Sequence, residues 1–302
     1  MDEVKKVDTR DNLKVVTSND FITAKGLSKL SLKARKLLCI AIAQCKKTDD
    51  SFYYFEVSPA ELAKLYNINP NHVYETADDV STELMQAFIE VKRAVEDKKN
   101  KRKNGYVKYS LFSFCSYDES MLKFKLNPDM TEFLLNLQKN FTQPLLQDFM
   151  QMRSVYTIAI WHLFQREMHS HKPAVNKTMC FDLALDELRI VTETDEKKTY
   201  DILSNFKRRV LDPALQEIED CQLAKISYTN IKKGRTVVGF HFVAESCAGK
   251  FEPSPEIQDI MDKRLRKMDL KKKQKKKGLT AEEKIELEEL AKELTQKSIF
   301  KM

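Results

Sequence analysis

The chain has 302 residues, 42% of them hydrophobic, and 52 Lys and Arg against 45 Asp and Glu give a formal net charge of +7. That length has room for two domains of ordinary size and a tail, with enough apolar residues to bury a core in each. With 6 Gly and 8 Pro, a collagenous, low-complexity or glycine-rich dinucleotide-binding chain is excluded, and the positive balance favours a polyanionic partner. No run of about 18 apolar residues occurs, and the start Met1-Asp2-Glu3-Val4-Lys5-Lys6 lacks the basic-then-apolar layout of a signal peptide. A soluble, cytoplasmic protein with no membrane partner is expected. The six cysteines (Cys39, Cys45, Cys115, Cys180, Cys221, Cys247) show no CxxC pair and no His at metal-ligand spacing. They read as free core thiols in a reducing compartment, with no metal and no other cofactor.

In chain order, Ser31 is the N-cap of a helix over 32–46, whose Leu32, Leu37, Leu38, Ile40 and Ala41 fall largely on one face. A β-rich run at 52–57 precedes a short helix over 59–66 with Pro59 at its first position. A turn leads to a longer helix over 71–88, and segments 88–93 and 106–116 flank the loop of a hairpin. Asn127-Pro128 opens another helix to 137, and 141–151 leads into a helix over 155–168 capped by Ser154, so the connector is mostly helical. The order then returns: strand 178–183, short helix 184–191, and a longer helix 195–211 that Pro213 ends or kinks. Asp212 stands ready to cap a further turn through 219, and a last hairpin joins 223–231 to 236–242.

That return is visible residue by residue at an offset of 126. Phe55-Glu56-Val57 aligns with Phe181-Asp182-Leu183, Glu61-Leu62 with Glu187-Leu188, Tyr74-Glu75 with Tyr200-Asp201, Val80 with Phe206, Leu84 with Val210 and Ile89 with Leu215. A unit this large means tandem domains, since solenoid periods are about 20–50 residues. Helix, strand, helix, turn, helix, hairpin is the order of a winged helix-turn-helix. The expected fold is helix-rich α+β: two tandem winged-helix domains over 15–138 and 139–250, then a charged C-terminal tail over 251–302.

A helix that reads DNA buries one face on its own domain and offers the other to the major groove, where Arg binds guanine and Asn binds adenine bidentately. Projected at 100° per residue, the second long helix gathers Tyr200, Leu203, Phe206, Val210 and Leu211 on one side. Lys198, Asp201, Asn205, Arg208, Arg209 and Asp212 lie opposite, and Lys207 falls near the buried face with its ammonium reaching outward. The equivalent first helix carries Glu75, Asp78, Asp79 and Glu83 with no Lys or Arg between Pro70 and Phe88. Four carboxylates facing phosphates forfeit counterion release, so this helix suits solvent or a protein partner. Both hairpin tips are basic and suit phosphate contacts. The expected DNA-contacting set is Lys197, Lys198, Asn205, Arg208 and Arg209 on the helix, Lys232, Lys233 and Arg235 on its wing, and Lys98, Lys99, Lys101, Arg102 and Lys103 on the first wing.

The net charge itself sits elsewhere. Residues 263–277 hold ten Lys and Arg and one acid, a local +9 that leaves the other 287 residues at −2. The Lys271–Lys277 run has nothing apolar to pack. Beyond it, Thr280 and Glu283 have capping-box spacing at the head of an acidic helix over 280–295.

Three stretches resemble the Rep-type plasmid replication initiators, the RepA/RepB/RepE-like family with two winged-helix domains. They are Asn19-Asp20-Phe21-Ile22-Thr23-Ala24 running on through Leu30-Ser31-Leu32-Lys33-Ala34-Arg35-Lys36-Leu37-Leu38, then Arg153-Ser154-Val155-Tyr156-Thr157-Ile158-Ala159-Ile160-Trp161-His162-Leu163-Phe164, and the most specific, Phe206-Lys207-Arg208-Arg209-Val210-Leu211-Asp212-Pro213-Ala214-Leu215-Gln216-Glu217-Ile218 after Tyr200. The similarity spans about residues 15–245. It implies monomers that bind directly repeated iterons in double-stranded origin DNA, help open an adjacent AT-rich region and recruit the host initiator and helicase machinery. It also implies a homodimer in equilibrium with the monomer, joined through the first domain, that binds an operator inverted repeat and represses its own promoter. The family's reading helix maps onto residues 198–209, and the tail departs from the shared core.

A rolling-circle nicking initiator would need two His flanking a hydrophobic residue on a strand, plus a Tyr nucleophile. His169-Ser170-His171 has Ser in the middle, lies at a helix end and is followed by Pro173, which fits a loop surface instead. No GxxxxGK[ST] phosphate loop occurs, so no enzyme is expected. A winged-helix transcriptional regulator or partition protein is the alternative, because a fold alone does not fix function.

Overall fold

The computed structural model describes residues 4–8, 12–46, 49–66, 72–96, 102–118, 121–170 and 178–247, with Leu270, Thr280, Glu283, Glu286 and Leu287 beyond. Residues Met1–Cys247 form one compact unit and Ala248–Met302 a second. The first unit opens with β1 (Val4–Lys6), β2 (Thr17–Ser18) and the single turn α1 (Asn19–Ile22), then a 3-10 turn at Leu27–Lys29. Next come α2 (Leu32–Ala43), β3 (Tyr54–Val57), α3 (Pro59–Tyr66) and α4 (Val73–Gln86). Their starts obey local chemistry. Ser31 Oγ accepts from the Ala34 N–H at 3.2 Å, while Ser58 and Glu61 satisfy each other's N–H groups in a capping box.

The chain continues through β4 (Phe88–Glu96), β5 (Arg102–Ser110), β6 (Phe112–Asp118) and β7 (Met121–Leu126). A 3-10 turn at Pro128–Met130 and α5 (Thr131–Leu134) follow, so the expected helix to 137 is a shorter, mixed element. Then come β8 (Phe141–Thr142), α6 (Leu146–Gln151), α7 (Val155–Ser170), β9 (Thr178–Ala184) and α8 (Leu185–Val191). A 3-10 turn (Lys198–Tyr200), α9 (Leu203–Phe206), a π turn (Lys207–Leu211), α10 (Asp212–Asp220), β10 (Ala224–Lys233) and β11 (Thr236–Ser246) complete the unit.

The internal repeat is a repeat of core positions. Phe55 and Phe181, Val57 and Leu183, Leu62 and Leu188, Val80 and Phe206, and Leu84 and Val210 are all buried. Beyond that point the correspondence of elements fails, because Ile89 lies in β4 whereas Leu215 lies in α10. The sheets differ as well. In the second copy β9 pairs with β11, which pairs with β10, so wing and strand make one antiparallel sheet. Phe164 of α7 seals it, standing 5.2 Å from the Phe181 ring and 4.8 Å from Phe242. In the first copy the β4–β5 hairpin is a sheet of its own, and β3 pairs with β7 in the order β1-β3-β7-β6. The expected single strand to 116 is therefore two strands broken at Leu111, with β7 unforeseen. The thiols also depart from expectation: Cys39 is buried, but Cys180 is exposed on β9.

The two copies share a core rather than a tether. His162 of α7 is buried, with Nε2 3.0 Å from Thr17 Oγ1 and its ring edge-on to Phe149 of α6 at 5.3 Å. The neighbouring Trp161 Nε1 donates to Asp148 at 3.2 Å. Burial drives the His162 imidazole from an ordinary 6.5 down to about 3, helped by the Arg35 cation. Burial pushes the Asp148 carboxyl from 3.8 up to about 6 against the Trp161 hydrogen bond.

Their linkages have opposite signs. The depressed imidazole contributes stability that is present above pH 6.5 and lost as the pH falls toward 3. The raised carboxyl contributes stability that is present below 3.8 and lost as the pH rises through 6. Between about pH 4 and 6 the unfolded chain holds an extra proton at 162 and the folded chain one at 148, so the two slopes cancel. Asp148→Asn keeps an oxygen for Trp161 and removes one side of that balance. Relative to the parent, its unfolding free energy is expected to fall by up to about 1.4 kcal/mol per pH unit from pH 6 to 4. Urea denaturation across that window checks this, and a pH-independent difference contradicts it.

Candidate nucleic-acid interface

α8, the turn after it and the helical run to Asp220 form the second helix-turn-helix. The expected helix starting at Asp195 begins later, with its 3-10 turn at Lys198 and its α-helical part at Leu203. It then runs without a break to Asp220, and Pro213 does not end it. Proline has no N–H for the Arg209 carbonyl and its ring crowds that oxygen. The helix widens just upstream, where the Asp212 N–H reaches the Lys207 carbonyl five residues back. Asp212 is thus the first residue of α10 and caps nothing. Its carboxylate instead accepts from the Tyr228 hydroxyl at 2.7 Å, and burial together with that bond holds the phenol well above its usual range.

The faces fall as the projection requires. Phe206, Val210 and Leu211 are buried, with Tyr200 and Leu203 packed against the core. Lys198, Asp201, Arg208, Arg209 and Asp212 are exposed. Asn205 is half-buried, and its Nδ2 donates to the Thr199 carbonyl at 3.0 Å, so its amide serves the helix start. Lys197 is exposed but leans on its own domain, Nζ 3.4 Å from the Tyr156 hydroxyl. Lys207 packs its stem as expected. Its ammonium bonds Asn230 at 2.8 Å and lies 4.9 Å from the Tyr228 ring centre and 5.1 Å from that of Phe240. Two ties, Lys207–Asn230 and Asp212–Tyr228, therefore join the helix to wing strand β10.

The wing tip is a two-residue loop between paired Lys233 and Thr236. Gly234 takes φ +63°, the Gly-first requirement of such a hairpin. Lys232, Lys233 and Arg235 are all exposed around it. On the first wing, Lys98, Lys99 and Lys101 lie outside the described residues, and Arg102 and Lys103 are described only as backbone in β5. The acidic α4 exposes Glu75, Asp78 and Asp79, but Glu83 is half-buried and holds the head of α2 by accepting from the Ser31 N–H and hydroxyl. The basic tail segment lies outside the described residues apart from Leu270. At Thr280 and Glu283 the capping box is present, Thr280 N–H to Glu283 at 3.1 Å and Glu283 N–H to Thr280 at 3.3 Å. His171 of the HxH triplet, and the His169 and Ser170 side chains, are outside the described residues.

Two positioning devices have no sequence signature. The Arg189 guanidinium of α8 donates to the Tyr200 and Asp201 carbonyls at 2.8 and 3.2 Å, fixing where the second helix starts. The helix-turn-helix turn is also fastened to the N-terminal copy. Buried Glu193, at φ +49°, accepts from the N–H groups of Gly26 and Ser28. Ser28 Oγ donates to the Val191 carbonyl at 2.6 Å, and Lys25 Nζ reaches Asp195 and Glu196 at 2.6 and 3.0 Å. These carboxylates, Asp195 foremost, raise the Lys25 pKa. On its far side Lys25 exchanges backbone hydrogen bonds with Glu90 of β4 at 3.0 and 2.8 Å. Gly26 is required there: its φ is +109°, and a Cβ would stand 2.0 Å from the Phe88 carbonyl oxygen.

Two solved structures resemble this one. The Pi initiator protein in complex with iteron DNA is 20% identical with a TM-score of 0.62, covering 79% of this chain and 99% of its own, and the likeness is one of fold. Domains 2 and 3 of RctB, 9% identical with a TM-score of 0.38 over 76% of this chain and 82% of that one, are too distant to inform the site. Among protein families, the one described as initiator replication protein, WH1, matches residues 14–165, and initiator Rep protein, WH2, matches 184–243. The chain therefore carries two winged-helix domains and belongs to the Rep family of replication initiator proteins.

Proposed function

We propose that the protein initiates replication of a plasmid by binding directly repeated iterons in double-stranded origin DNA, with the helix from Lys198 to Asp220 in the major groove. The observation that carries this reading is the exposed pair Arg208 and Arg209 on that helix, beside the exposed basic tip Lys232, Lys233 and Arg235. Arginine reads guanine bidentately, and lysines on a wing clamp phosphates without reading sequence. The likeness to an initiator solved with iteron DNA supports the same reading. We place the first winged-helix domain at 15–138 and the second at 139–250, with 251–302 as a tail. The first domain adds phosphate contacts through Lys98, Lys99, Lys101, Arg102 and Lys103, and Lys197 and Asn205 support the reading helix.

The protein acts by binding and opening DNA, with no catalysis of its own. It works in the cytoplasm, passing between a monomer on iterons and a homodimer that represses its own promoter at an inverted repeat, and it brings host initiator and helicase proteins to the origin.

A footprint of the purified protein on its own origin tests the assignment. Direct repeats about two helical turns apart beside an AT-rich stretch are expected under protection, whereas a lone protected palindrome indicates a repressor. Arg208→Ala or Arg209→Ala is expected to cost about 1–3 kcal/mol at the specific site and to relax discrimination at one base pair. Unchanged affinity and specificity in both variants would remove the helix from the groove. Replacing Lys232, Lys233 or Arg235 by Ala should weaken all sequences alike and lower the salt slope by about 1 per charge, read from binding isotherms at several salt concentrations. Deleting residues 263–302 is expected to leave sequence discrimination intact while lowering non-specific affinity, which competition with random DNA measures.

A further inference from the structure

Ile202 is 58% exposed, and among the described residues it is the one large apolar side chain left open on the second helix-turn-helix. It stands at the N-cap of α9 with φ −76° and ψ 110°, and makes no side-chain hydrogen bond to the helix. Isoleucine is among the poorest residues for that position, where Ser, Thr, Asp or Asn would supply an acceptor to the unpaired N–H groups. The other large apolar residues of the run are covered: Leu203 packs on the core and Phe206, Val210 and Leu211 are buried. Exposed Lys198 and Asp201 precede Ile202, and exposed Ser204 follows close behind. The site thus gives up a cap in exchange for an apolar surface at the end of the helix whose residues reach base edges. The apolar feature a base edge offers in the major groove is the C5-methyl of thymine.

We propose that Ile202 is a specificity-determining residue that packs against the C5-methyl group of a thymine in the bound repeat. This rests on the reading that the helix enters the major groove of origin repeats. The chemistry is contact burial: isoleucine and methyl lose water together, and cytosine, which lacks the methyl, gains nothing there.

The test uses the full-length protein and its own origin repeat, with each thymine replaced singly by deoxyuridine, which pairs alike but lacks the methyl. One or two positions are expected to weaken binding about fourfold, the value of one buried methyl group. Ile202→Ala should bind the parent repeat more weakly, still prefer it to scrambled DNA, and be indifferent to uracil at those positions. Ile202→Ser, which restores a cap, should lose the same sensitivity while raising Tm by roughly 2–4 °C. Specific binding with a flat uracil scan overturns this inference alone, as does an Ile202→Ala variant that keeps the full uracil penalty. A protein that prefers its origin repeat no more than scrambled DNA overturns the groove reading and this inference together.

Discussion

The helix proposed to enter the groove follows a turn that one buried carboxylate fastens to the N-terminal copy. Glu193, buried in the helix-turn-helix turn, satisfies the N–H groups of Gly26 and Ser28, and leaving those donors unpaired would cost about 1–3 kcal/mol. The partner segment is held on its other side by the Lys25–Glu90 backbone pair, so the first hairpin, the 25–29 segment and the second helix-turn-helix form one hydrogen-bonded series. Lys25 extends it with a partly shielded pair to Asp195. Thr17 against His162 and the shared core around Phe149 then place the N-terminal strand and α7 in the same rigid body. Two tandem winged-helix domains packed in this way would hold the elements proposed to contact DNA at a fixed separation, a geometric condition for matching a site longer than one domain reads.

The repeat at an offset of 126 was legible because both copies bury the same positions, and burial is what hydrophobic identity reports. Phe55 and Phe181 or Leu62 and Leu188 could be paired without any structure. The helix starts at Ser31 and Pro59 were legible for a local reason, since caps act within one turn. Strand partnering was not, because it is decided by residues distant in sequence. β3 chooses β7 where its counterpart β9 chooses the wing, and nothing within either strand announces that difference. Hydrophobic periodicity predicts the faces seen at Phe206, Val210, Arg208 and Arg209, yet the helix starts later than local propensity predicts. A run of Asp, Glu and Lys at 195–198 fits a first helical turn on propensity, but here those acids serve Lys25. Arg189 and Glu193 gave no sign at all, because a lone charged residue in a sequence carries no record of the carbonyl or amide it meets.

Net charge was an indirect guide to the partner. Residues 263–277 alone carry +9, the whole of 248–302 only +4, and residues 1–247 the remaining +3. Acids and bases are sorted by element: Glu75, Asp78 and Asp79 are exposed on α4, while Lys198, Arg208 and Arg209 are exposed on the second long helical run and Lys232, Lys233 and Arg235 around the Gly234 hairpin tip. Asp195 is paired with Lys25, while Asp212 accepts from the Tyr228 hydroxyl.

The widened turn before Pro213 gives the helical run from Leu203 to Asp220 two angular phases. Each residue of an α-helix advances about 100°, and a single π turn absorbs one residue beyond that count, so the residues before Lys207 and those after Leu211 are indexed against different zeros. Core residues on both sides nevertheless point inward: Phe206 ahead of the widening, Ala214 and Ile218 behind it. A length change of one residue in this interval would therefore behave as a twist and not as a trim. It would turn Lys198 and its neighbours about a quarter-turn away from the arginines, so this short stretch is constrained in length as well as in composition.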